Sequence, residues 1–189
     1  MTTRLLARGS LYAAAYVVLT LLAAAFGLAS GQVQFRVSEA LLPFACVDPA
    51  AIAGLTIGTA VANALTSPIG ALDVLVGSGL TLVAALLMWW TGPRVVALAA
   101  PVVVNGLGVG AELALVLGLP FWPSVGLVAL GEAVVLFTAG LVVLRLVVAH
   151  GAAFGLPARP ARPAAGRRRG PTGEADEGHA PQDDERGAQ

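Results

Sequence analysis

From Leu11 to Val148 the chain is one apolar run after another, each close to bilayer length. A hydrocarbon core of about 30 Å takes roughly 20 apolar residues as an α-helix, since each residue adds 1.5 Å. The few ionisable side chains inside such runs are therefore the tightest constraint on folding. Arg36 and Glu39, in Gln34-Phe35-Arg36-Val37-Ser38-Glu39-Ala40-Leu41, stand three apart and share a face of any helix that holds them. Bringing one ionised group toward the bilayer middle costs on the order of 3 kcal/mol even on a lenient insertion scale, so partners or water must be near. The pair reads either as part of a buried site or as an ion pair tying two helices together.

Composition confirms the setting: 57% of the 189 residues are hydrophobic and 12% charged, against about 25% charged in soluble domains. The chain is expected to be an all-α integral membrane protein. All bases are arginine, and the absence of lysine excludes a Walker A phosphate loop and any Schiff-base chemistry. A single cysteine, Cys46, excludes an internal disulfide and a Cys-x-x-Cys pair. His150 and His179 have no neighbours at metal-ligand spacing, so neither a metal site nor a catalytic residue is assigned.

Six spans are expected, at about 10–30, 33–47, 49–66, 72–91, 95–118 and 124–148, within a membrane domain of residues 1–150. The first is long for a signal peptide, although small residues stand at Ala29 and Ser30. Gly9 with Ala13, and Ser10 with Ala14, form small-xxx-small pairs that admit a close helix, from this chain or a partner. The second segment is marginal for a crossing at 1.5 Å per residue. Asp48-Pro49 reads as an N-cap and first helical residue, and Gly54, Gly58 and Ala62 form a packing stripe behind it. Trp89-Trp90 reads as an interfacial belt, Pro101 as a kink in the fifth span, Gly106 and Gly110 as a close-approach pair, and Phe121-Trp122-Pro123 as a short loop. Residues 151–189, with arginines from Arg159 to Arg169 and acids from Glu174 to Glu185, are expected to be a disordered cytoplasmic tail with little to bury.

The distribution of arginine decides between five and six crossings. If the second segment crosses, Arg4, Arg8, Arg94, Arg145 and the tail share the cytoplasmic side and only Arg36 faces out. Both termini are then cytoplasmic in a multi-pass plasma-membrane protein. Under that topology Arg36, Glu39, Asn63, Asp73, Asn105, Glu112 and Glu132 all fall in the outer half, where they describe a cup open to the exterior. Four carboxylates against one arginine favour a solute rich in hydrogen-bond donors, and Trp122 at the rim either stacks on a ring or anchors in the membrane belt.

The Gln34 to Leu41 stretch with Leu42-Pro43-Phe44, the Asn63 to Ser67-Pro68 junction with Gly70 and Asp73, Gly77-Ser78, Thr81-Leu82, and Val104-Asn105 to Glu112-Leu113 with Gly118-Leu119-Pro120-Phe121-Trp122 resemble the QueT family. The resemblance runs from about residue 10 to residue 145 and leaves the tail uncovered. It implies an S-component-like bundle of six transmembrane helices, the substrate-binding subunit of an energy-coupling factor (ECF) transporter, taking up queuosine precursors: deazaguanine bases with an aminomethyl or nitrile group. It implies no cofactor in this chain, a transmembrane coupling protein and two ATPase subunits as partners, and ATP used by those subunits alone. Ser10 and Ala14 become the partner-docking pair, although a family member would more usually carry alanine where Ser10 stands.

For such a ligand the expected binding residues are Glu112, Glu132, Asn105, Asp73, Glu39, Arg36, Asn63 and Trp122. Glu112 or Glu132 would accept the paired N–H donors of a guanine-like edge and Asn105 would read the adjacent carbonyl, while Asp73 or Glu39 would meet an ammonium. A stand-alone carrier, or an S component for another vitamin-like substrate, is the alternative. An intramembrane enzyme is disfavoured, because no serine or cysteine has a histidine at membrane depth. Nucleic acid is not expected as a partner.

Overall fold

A computed structural model describes residues 2–28, 35–153 and 155–157. The tail from residue 158, with His179, lies outside them, as do Ala29, Ser30 and Gln34. The described chain is helical throughout: α1 (Thr2–Ala25), a 3-10 helix (Val37–Cys46), α2 (Pro49–Thr66), α3 (Ala71–Thr91), a 3-10 turn (Val95–Leu98) running into α4 (Ala99–Leu117), and α5 (Phe121–Val135) continuing through a π turn (Leu136–Gly140) into α6 (Leu141–His150). Five of these stretches, Thr3–Ala25, Pro49–Thr66, Ala71–Thr91, Val95–Leu117 and Phe121–His150, are long and apolar enough to span a bilayer.

The remaining segment is the expected second span, and it is built differently from the others. Val37–Cys46 is wound as a 3-10 helix with Pro43 inside it. At about 2.0 Å per residue its ten residues extend roughly 20 Å, where an α-helix would manage about 15 Å. Contacts with α1 give its direction: Thr20 donates to Ser38 Oγ at 2.9 Å, Tyr16 to Glu39 at 2.5 Å and Tyr12 to Asp48 at 3.2 Å. As α1 rises from residue 8 to residue 20, this segment descends beside it from 38 to 48. Leu42, Ala45 and Cys46 are fully buried, and the segment packs against α1, α2, α3 and α6, so the shortest pass is set inside the bundle.

The other helices alternate in direction. α2 runs parallel to α1, because a Cβ on Gly54 would strike the Gly9 carbonyl and one on Gly58 would lie 2.8 Å from Tyr16 Cβ. α3 returns, bonded near its start by Asn63 to Asp73 and farther along by Thr59 to Thr81. α4 and α5 are antiparallel, with Gly106 on Ala129 and Gly110 on Val125, the close-approach pair expected from sequence. The result is six passes, the second of them short, and the two described ends of the bundle meet: Arg8 Nη1 donates to the Gly155 carbonyl at 3.3 Å.

Several boundaries move from their expected places. The first helix begins at Thr2 rather than near residue 10, so Arg4 and Arg8 belong to it. Phe121-Trp122-Pro123 is the first turn of α5 and not a loop, and Pro101 sits in the first turn of α4. Proline is tolerated there because first-turn N–H groups have no partner within the helix. Asp48 caps α2 as expected, its Oδ1 accepting from Ala50 N at 3.0 Å with Pro49 at the first position. What the sequence did not reveal is that Asp48 Oδ2 also takes Tyr12 and lies 3.3 Å from Arg8 Nε while fully buried. Asp48→Ala is therefore expected to cost about 3 kcal/mol, more than a lost cap alone, because it strands a half-buried cation. Thermal unfolding in detergent measures it, and a loss no larger than that of an ordinary surface substitution would contradict this account.

Candidate functional site

A cavity of about 550 Å³ lies at the end of the bundle opposite the joined termini. Its walls come from every pass. Tyr16 and Thr20 stand on α1; Phe35 to Ser38 open the 3-10 segment; Asn63 and Thr66 end α2; Ser67 to Ile69 and Asp73 form the turn into α3; Val109, Glu112 and Leu113 lie on α4; Pro123, Ser124 and Leu127 begin α5. Most of the wall is apolar, with a few convergent polar groups, which is the usual composition of a small-molecule site.

Local structure explains why those polar groups converge. The turn from α2 to α3, Ser67-Pro68-Ile69-Gly70, passes through Gly70 at φ 76° and is pinned by Ile69 N donating to Ser67 Oγ at 3.1 Å. That folds Asn63 back on Asp73: Asn63 Nδ2 donates to the Asp73 carbonyl at 2.9 Å and to its Oδ1 at 3.2 Å. Gly77 makes room for the amide, since a Cβ there would collide with Asn63 Nδ2. Arg36, entering just before the 3-10 helix, brings Nη2 to 3.8 Å from Asp73 Oδ1.

Four of the eight expected binding residues line the cavity: Arg36, Asn63, Asp73 and Glu112. Glu39, Asn105 and Glu132 do not, although all three are buried. Glu39 accepts from Tyr16 at 2.5 Å, and Glu132 accepts from Asn105 Nδ2 at 2.8 Å. They form a layer behind the wall, and their charges still act on it: Arg36 feels Glu39, Asp73 and Glu132, and Glu112 feels both Arg36 and Asp73. Asn105, expected to read a ligand carbonyl, donates from its amide nitrogen to Glu132 and is buried away from the cavity lining. Trp122 is 73% exposed, away from the cavity lining, with its ring edge-on to Phe121 at 4.8 Å.

Buried polar atoms without a hydrogen-bond partner mark where this site is unfinished. Among the described residues they include Arg36 Nη1, Glu39 Oε2, Asn105 Oδ1 and both carboxylate oxygens of Glu112. Buried polar groups are nearly always paired, so each such atom calls for an explanation. Arg36 and Glu112 are the two of these residues that also line the cavity.

Sequence reasoning missed Tyr16, Thr20, Ser38 and Ser124 as wall residues. A signal was available on α1, where Tyr12, Tyr16 and Thr20 recur every four residues and make a polar stripe on an otherwise apolar helix. Of the small pairs on α1, Gly9 and Ala13 lie against α2, whereas Ser10 and Ala14 remain exposed.

Comparison with curated proteins and with solved structures gave no match. A family model does match, that of the QueT transporter, over residues 6–148, which takes in all six passes and every cavity residue named above. This multi-pass membrane protein with a largely apolar cavity at one end belongs to the QueT transporter family.

Proposed function

We propose that this chain is the substrate-binding S component of an ECF-type importer, and that the cavity receives queuosine precursors, deazaguanine bases arriving from outside the cell. The observation that carries the reading is an apolar cavity of about 550 Å³, inside the range of about 300–1,000 Å³ usual for small-molecule sites, with Arg36, Asp73, Asn63 and Glu112 on its wall. A flat heterocycle with donors on one edge and a carbonyl on another matches that set. Arg36 Nη1, buried and unpartnered among the described residues, is the donor for the ring carbonyl. Glu39 and Glu132 act from the layer behind, through Arg36.

Orientation follows from the arginines. Arg4, Arg8, Arg94 and Arg145 stand on the half of the bundle that holds the termini, and Arg36 stands at the cavity end. The positive-inside rule puts both termini in the cytoplasm and the cavity outward. Energy comes from a transmembrane coupling protein and two ATPase partners that use ATP, since this chain has no lysine from which to build a phosphate loop. Ser10 and Ala14, exposed on α1, are the proposed docking pair for that module.

Calorimetric titration of the purified protein with aminomethyl- and nitrile-deazaguanine tests the substrate reading. Saturable binding of at least one base without ATP is expected, and no binding of either would remove it. Reconstitution into vesicles without ATPases tests the division of labour: the protein is expected to bind but not accumulate substrate. Uptake by the protein alone would favour a stand-alone carrier instead.

A further inference from the structure

The 3-10 segment leaves a gap at the other end of the bundle. α1 and α6 both pack against that segment and, among the described residues, barely meet one another. A slot of about 320 Å³ therefore opens between them at the end where the termini join. Leu11 and Tyr12 of α1 form one side, Val143 and Leu146 of α6 the other, Phe44 the floor and Leu156 the terminal edge. Both helices belong to stretches long and apolar enough to span a bilayer, and Leu11 and Leu146 are exposed, so the slot faces lipid. An acyl chain enters such a slot without losing any hydration, and it restores the contacts that an empty gap forfeits.

The charged group in the slot wall points to the rest of the ligand. Arg8 Nε lies 3.3 Å from Asp48 Oδ2 and its Nη1 donates to the Gly155 carbonyl at 3.3 Å, which holds the guanidinium at the mouth with Nη2 uncommitted among the described residues. Asp48 offsets the charge of Arg8, so the positive surplus comes from Arg4, exposed one turn earlier on the same face of α1. An apolar slot that ends at two arginines matches an apolar chain that ends at a phosphate. The tail of this protein is no substitute, because residues 158–189 carry no apolar side chain other than those of alanine and proline. Ser10 and Ala14 lie on another face of α1, so the slot is separate from the proposed docking pair.

We propose that this slot seats one acyl chain of an anionic phospholipid, with Arg8 and Arg4 meeting its phosphate. A lipid so seated bridges α1 to α6 where the protein itself leaves them apart.

Native mass spectrometry of the full chain, with phosphatidylglycerol and phosphatidylcholine of identical acyl chains added in equal amounts, tests the proposal. Wild type is expected to retain one phosphatidylglycerol at least about fivefold over phosphatidylcholine, and to unfold at a higher temperature with it. Leu146→Trp fills the slot from a partly exposed position and is expected to abolish retention, while Leu115→Trp, on the exposed face of α4 outside the slot, keeps it. Arg4→Gln is expected to weaken phosphatidylglycerol about fivefold, the effect of one arginine near an anionic lipid, and to leave phosphatidylcholine unchanged. Neither Leu146→Trp nor Arg4→Gln touches the buried Asp48 pair, and the wild-type comparison needs no variant. Equal retention of the two lipids by wild type overturns the proposal, as does full retention by Leu146→Trp. Glycerol phosphate protecting as well as the lipid would assign the arginines to a free phosphate ester, and a lipid-free dimer would assign the slot to a second copy; either result overturns it as well.

Discussion

Arg36→Ala is expected to lose about 3–5 kcal/mol of stability, the usual cost of removing one partner from a buried ion pair, and to bind no ligand. The reason is the imbalance around it. Arg36 lies 3.8 Å from Asp73 and acts electrostatically on Glu39, Glu132 and Glu112, so its loss leaves four carboxylates in a low-dielectric setting with no cation among them. Adding Asp73→Asn should restore part of the stability, because it removes the nearest stranded charge while keeping a side chain that Asn63 can still meet. Binding should not return with it, since the Nη1 donor is still missing. Thermal unfolding and ligand titration on the single and double variants separate the two effects. A stable Arg36→Ala protein with full affinity would mean that Arg36 neither balances these acids nor touches the ligand. Arg36→Lys is expected to recover stability better than binding, because a lysine supplies the charge without the planar fork.

Gly54→Leu is expected to be the most damaging single substitution on the helix surfaces, costing about 3 kcal/mol or more and yielding little folded protein. The first added carbon would meet the Gly9 carbonyl oxygen and lie 2.9 Å from Tyr12 Cβ. Backbone cannot step aside as a side-chain tip can, so α1 and α2 must separate. Helix association in a membrane depends on such close packing, because lipid offers apolar contact just as readily. Separation also withdraws Tyr12 from Asp48 and Tyr16 from Glu39, so the damage reaches the ionic groups at both levels of α1. Gly79, with open space where a Cβ would go, is the matched control, and Gly79→Leu should leave the unfolding temperature close to wild type. Similar losses at the two positions would show that close approach at Gly54 is not what holds α1 on α2.

How far the sequence could be read differs from residue to residue. The Asp48-Pro49 helix start and the small-residue face at Gly54 and Gly58 were legible because each is a local rule: a cap acts within three residues, and a missing Cβ is visible in the letter itself. The short apolar segment between α1 and α2 was legible as a separate element, yet not as a 3-10 helix packed against four other elements, because that winding depends on its neighbours. Asn105 and Glu132 were legible as polar residues in apolar helices, but that they would pair behind the cavity wall was not, since their mutual hydrogen bond joins positions 27 apart on two helices. Tyr16 was passed over because a tyrosine on an apolar helix has no stated partner until Glu39 is brought to it.

Hydropathy alone was enough to determine that this chain lies in a membrane and which polar residues fall within its apolar helices. Those properties are set by the cost of moving each side chain out of water, which depends on composition and on position along one helix. Which carboxylate faces the cavity and which stands behind it was decided only by the tertiary structure. Rotating a helix by one residue, about 100°, exchanges wall for core, and that angle is settled by packing against neighbours that no local pattern describes. Glu112 and Glu132 look alike in sequence, each a lone acid in an apolar helix; one lines the cavity and the other is closed off by an amide.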